Sequence, residues 1–106
     1  MARAIVNVPA SAKRGDIVEI KTVVAHAMET GFRRTQFGEM IPRDIISRFV
    51  CTYNGAEIFR AELSPAIAAN PLLTFTTVAI ESGTLAFQWT GDNGYSVSES
   101  ATITVV

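Results

Sequence analysis

The chain has 106 residues, 48% of them hydrophobic and 18% charged, with nine Lys and Arg against ten Asp and Glu for a formal charge of −1. A chain of this length buries roughly 65% of its extended surface on folding, so one domain over residues 1–106 with one core is expected and disorder is excluded. The near-neutral balance supplies no field to hold a phosphate backbone, and the single Cys51 can close neither an intrachain disulfide nor a multi-cysteine zinc site.

The N-terminal stretch has a short apolar run interrupted by Asn7 and Pro9, which falls short of a secretory signal. On its own the chain is expected to stay in the cytosol. No apolar run approaches the ~20 residues a membrane-spanning helix needs, so no membrane association is expected. A first strand is read over Ala4 to Val8. From Ile17, the residues Val18, Ile20, Thr22, Val24 and His26 fall on one side of an extended chain and Glu19, Lys21 and Ala25 on the other, with Val23 as the exception.

Met28 to Arg48 is then a loop of about twenty residues, longer than a compact domain carries without purpose. A helical turn is expected near Pro42 to Ser47, because Pro suits a first helical position and Asp44 complements a helix N-terminus. The aromatic and β-branched run Phe49 to Tyr53 predicts a strand. It is followed by Asn54-Gly55, a type I′ hairpin turn, and by a returning strand from Glu57 to Leu63.

Leu72 to Ile80 and the alternating Leu85, Phe87 and Trp89 predict two more strands. Asp92-Asn93-Gly94 reads as a turn rather than a cation loop. A last strand from Tyr95 to Val105 has one apolar and one hydroxyl-rich face, and Glu99 on its apolar face predicts a bulge or break there. About seven strands at these spacings predict an all-β, immunoglobulin-like antiparallel sandwich.

Few residues invite chemistry. Cys51 with His26 would suit a thiolate and its base, but Cys51 sits mid-strand among Phe49, Val50 and Tyr53, where cysteine behaves as a small buried hydrophobe. His26, the only histidine, is expected to bond to local backbone. Glu29, Glu39 and Asp44 match no calcium-loop spacing, and neither a metal nor another cofactor is expected. Arg33, Arg34, Arg43 and Arg48 could recognise oxyanions or a partner through paired donors, or could simply pair with the loop's own carboxylates. No catalytic residue is assigned.

The assembled stretches resemble the SoxZ family of bacterial thiosulfate oxidation. They are VNVPASAKRGDIVEIKT at 6–22, HAMETGFRR at 26–34, IPRDIISRFVCTYNG at 41–55, FRAELSPAIAANP at 59–71, and the C-terminal SGTLAFQWTGDNG and ESATITVV. One departure is Ala27, where members commonly carry Pro. The resemblance implies a non-catalytic, immunoglobulin-like subunit that forms a heterodimer with SoxY, whose C-terminal Gly-Gly-Cys-Gly-Gly arm carries the sulfur substrate between enzymes. It implies export to the periplasm on the partner's signal and only transient contacts with the pathway enzymes. It also implies that Cys51 is not the carrier thiol. The expected recognition surface is the long loop, with Arg33, Arg34, Ile41, Pro42 and Ile46 as a mixed basic and apolar patch. A homodimer in the partner's absence is a further expectation. The rival readings are a generic interaction module and a small thiol enzyme using Cys51 and His26.

Overall fold

Apolar and polar residues alternate along most of the chain, and that period of two decides its structure. The computed structural model describes residues 4–106. Among them the strands are β1 (Ala4–Asn7), β2 (Ser11–Ala12), β3 (Ile17–Val24), β4 (Ile46–Tyr53), β5 (Ala56–Glu62), β6 (Leu72–Val78), β7 (Gly83–Gly91) and β8 (Ser96–Val105). They form a three-stranded sheet ordered β1-β3-β6 and a five-stranded sheet ordered β2-β8-β7-β4-β5. All pairings are antiparallel except β2 with β8. Stacked face to face, the two sheets make the expected immunoglobulin-like sandwich.

The core lies between the sheets. Val18, Ile20, Thr22 and Val24 of β3 and Phe75 of β6 point inward from one side. Phe49, Cys51 and Tyr53 of β4, Leu85, Phe87 and Trp89 of β7 and Ile103 of β8 point inward from the other. Phe49 is the hub: its ring centroid lies 5.1 Å from Trp89, 5.9 Å from Phe75, 6.1 Å from Phe59 and 6.3 Å from Phe87. Phe59 and Phe75 stack across the layers at 4.3 Å. Thr22, the one buried polar residue among the described residues, donates its hydroxyl to the Leu73 carbonyl.

The hairpin at Asn54-Gly55 is as expected, with both residues at positive φ, 48° and 86°. Gly91 leads through a short 3₁₀ turn at Asp92–Gly94 into β8, so the Asp-Asn-Gly segment is a turn. Two expectations are corrected. No helical turn forms over Pro42 to Ser47: Asp44 pairs in an extended bridge with Glu29, and Ile46 already opens β4. Nor does β8 bulge at Glu99, because its register with β7 is unbroken from Thr90–Ser96 to Gly83–Ile103. Glu99 lies across from Phe87 but is exposed, on a stretch of β8 whose far edge has no strand beside it among the described residues; β2 reaches only Thr104 and Val105. The carboxylate therefore stays in water without disturbing the ladder.

Candidate functional site

Residues 25–45, between β3 and β4, leave the sandwich and fold back on themselves. The two legs pair at Glu29 with Asp44, where each N–H donates to the other's carbonyl at 2.8 Å, and again at Arg34 with Met40. Between these bridges Ile41 N–H donates to the Arg33 carbonyl at 2.9 Å. Thr35, Gln36, Phe37 and Gly38 make the tip, where Thr35 accepts from Phe37 and Glu39 N–H through its hydroxyl and Gly38 takes φ 83°. The segment is thus an irregular hairpin arm rather than an open loop.

The arm is fastened at its base. Asp92, held out by the turn after β7, accepts from Arg43 Nε at 2.9 Å and Nη2 at 2.8 Å, and from Ile45 N–H at 3.1 Å. Its own N–H donates to the Ile45 carbonyl at 2.9 Å. The approach is so close that a Cβ on Gly91 would stand 2.3 Å from the Ile45 oxygen, which is why glycine sits there. His26 closes the other leg: its side chain is 7% exposed, Nδ1 accepts from Met28 N–H at 2.9 Å, and the ring meets Tyr95 edge-on at 4.7 Å. Its backbone exchanges hydrogen bonds with Asn70, N–H to Oδ1 at 2.9 Å and carbonyl from N–H at 2.7 Å. The expected backbone-bonded histidine is what the structure contains.

The Arg43 guanidinium, and then the Ile45 N–H, hold the Asp92 carboxyl below its ordinary pKa of 3.8. A depressed folded-state pKa means the clamp is fully formed above that value and lost as pH falls below it. In an acid titration followed by NMR, the Ile45 amide resonance is expected to move with a midpoint below 3.8, and Asp92→Asn to abolish that movement. A midpoint at or above 3.8 would show that the clamp does not form.

The predicted patch is only partly realised. Arg33 and Arg34 are exposed on the arm, Pro42 is exposed and Ile41 half-buried. Ile46 is fully buried in the core and must be removed from the patch: as the first residue of β4 it points between the sheets. The four arginines do not converge on one anion. Arg33 is forked onto Glu29 and Arg43 onto Asp92, Arg48 Nε lies 3.3 Å from a Glu62 carboxylate oxygen, and Arg34 donates to the Gly38 carbonyl at 2.8 Å. The Arg33 fork, through its hydrogen bonds, lowers the Glu29 pKa. Sequence reasoning passed over the arm's most exposed apolar groups, Phe32 and Phe37, at 81% and 82% exposure, with Met40 at 49%. The available signal was two phenylalanines set among the loop's polar residues 29–39.

Cys51 is sealed between the sheets, and burial pushes its thiol up to about 12. Alkylation in the folded protein at neutral pH is therefore expected to be slow, limited by unfolding, and Cys51→Ala to cost about 1–2 kcal/mol. Brisk labelling would refute the structural role. No three His, Cys, Asp or Glu side chains among the described residues lie close enough together to hold a metal ion.

Among solved structures, a superoxide reductase (neelaredoxin) from Ignicoccus hospitalis superposes with a TM-score of 0.76 at 17% identity, over 97% of this chain and 79% of that one. The sulfur carrier protein SoxY from Chlorobium limicola f. thiosulfatophilum superposes with a TM-score of 0.71 at 8% identity, over 100% of this chain and 81% of that one. At such identities both likenesses are of fold alone. No curated protein matches the sequence significantly. The sequence does match the family model of sulphur oxidation protein SoxZ over residues 6–102, and with nearly its whole length so accounted for, the chain belongs to the SoxZ family.

Proposed function

We propose that this chain is the non-catalytic half of a sulfur-carrier heterodimer. It binds a SoxY-like subunit whose C-terminal cysteine carries the sulfur substrate, and it helps present that cysteine to the enzymes of thiosulfate oxidation. The family match over residues 6–102 carries the reading. Two features of the chain support it. Its one thiol is enclosed and held in the protonated form, which leaves no nucleophile to carry sulfur. Its arm is anchored at the base and presents exposed aromatic and basic groups toward the tip, as a recognition element should. Under this reading the carrier works in the periplasm, this subunit being exported with its partner. The partner's flexible cysteine arm raises the local substrate concentration at each enzyme, and this subunit's surface decides which enzyme docks.

The test is a gentle affinity pull-down of the tagged chain from a thiosulfate-grown source, with intact mass of what co-elutes. A stoichiometric small partner whose C-terminal cysteine bears added sulfur mass is expected. Recovery of this chain alone at every salt concentration would overturn the reading.

A further inference from the structure

The outward face of the three-stranded sheet carries a pattern that the core does not need. On β3 the outward residues run Ile17, Glu19, Lys21, Val23, and on β6 they run Leu72, Thr74, Thr76, Val78. The register sets Ile17 beside Val78, Glu19 beside Thr76, Lys21 beside Thr74, and Val23 between Leu72 and Ile5. Each end of the face is therefore an apolar row and its middle is polar. Ile17, Leu72 and Ile5 are 75%, 67% and 63% exposed. The outward face of the other sheet differs: its rows across β4, β7 and β8 are Val50–Gln88–Ser98 and Thr52–Ala86–Ser100, with no large apolar side chain exposed. A solvated sheet face is normally polar like the second, so the first has the character of a covered one.

We infer that this face docks against the same face of a second copy of the chain, about a two-fold axis that lies between the sheets and runs across the strands. That operation reverses the strand direction of the second copy while keeping β3 over β3 and β6 over β6. Ile17 then meets Val23 of the second copy and Leu72 meets its Val78. Glu19 meets Lys21 of the second copy, and Lys21 meets its Glu19. A two-fold axis along the strands and over β3, the central strand, would instead set Glu19 over Glu19 and Lys21 over Lys21, so the charges select the first axis. Within one copy Glu19 and Lys21 pair with each other at 3.4 Å, and on docking they exchange partners. The face offers ten side chains on β1, β3 and β6, well short of the roughly 20–30 per partner of a standard interface, so the dimer is weak and concentration-dependent.

The inference concerns the chain alone and does not depend on the carrier reading. Sedimentation velocity on the purified chain from about 10 μM to about 1 mM is expected to show monomer giving way to dimer. Lys21→Glu alone, or Glu19→Lys alone, is expected to weaken association by about tenfold or more, because like charges then face each other. Mixing the two single variants restores it, as does the double variant Glu19→Lys/Lys21→Glu, since opposite charges face again. These side chains are exposed, so unchanged thermal midpoints serve as the folding control. A wild-type chain that stays monomeric throughout, single variants that dimerise as well as wild type, or a mixture that fails to recover would each overturn the inference.

Discussion

Phe49→Ala is expected to lower the free energy of unfolding by about 3–5 kcal/mol, a fifth or more of the ~5–15 kcal/mol a domain of this size possesses. The ring is fully buried and touches four other aromatic rings drawn from both sheets. Its removal opens a cavity bordered by Trp89, Phe87, Phe75 and Phe59, and a close-packed interior relaxes only partly into such a gap. Trp89, the only tryptophan and 5.1 Å away, supplies the fluorescence that follows urea denaturation. With a slope of about 1–3 kcal/mol per molar urea, the midpoint should fall by about 2 M. Phe59→Ala, at a half-buried position on β5 next to the same cluster, should cost distinctly less. Equal costs at the two sites, or less than about 1 kcal/mol at Phe49, would mean that the sheets close over the gap and that the aromatic hub does not organise the core.

The sandwich could be read from the sequence because most strands have one buried and one wet face, which writes a period of two into β3, β7 and β8. Val23, the exception to that period, is the residue that joins Ile5 and Leu72 in the outward apolar row, so the irregularity marked a surface rather than a misplaced strand. Three features were not legible. Strand β2 is two residues long and pairs in parallel with Thr104 and Val105, a contact set by chain separation and not by any local pattern. The arm's ladder has two isolated bridges and hence no period to detect. Ile46 reads as part of the surface patch because the sequence places it in the long loop from Met28 to Arg48, where a short helical turn is also expected. The clamp from Asp92 instead holds Ile45 extended and starts β4 early, turning Ile46 inward. Local propensity lost there to a hydrogen bond from a residue 47 positions away.

The candidate site is accordingly an arm anchored at its base with an exposed tip, and its most exposed apolar groups are residues the charge pattern does not mark. Arg33 and Arg34 each donate to groups within the arm itself, Glu29 and the Gly38 carbonyl, so part of their hydrogen-bonding capacity is already committed to the arm's own shape. Phe32 and Phe37 have no such commitment: each leaves more than four-fifths of its surface in water. Phe32→Ser with Phe37→Ser is therefore expected to leave the thermal midpoint nearly unchanged, since neither ring packs into the core. It should weaken docking of the carrier by about a hundredfold if the rings fill pockets on the partner, about 2 kcal/mol or more being typical of a central aromatic anchor. Binding of the variant to the SoxY-like subunit and turnover of a reconstituted pathway, measured side by side, separate the two surfaces such an arm could serve. Retained heterodimer with reduced turnover assigns the arm to the pathway enzymes, and loss of the heterodimer itself assigns it to the SoxY-like subunit. If both stay at wild-type levels, the arm takes no part in recognition and the carrier contacts must be sought on the sandwich faces.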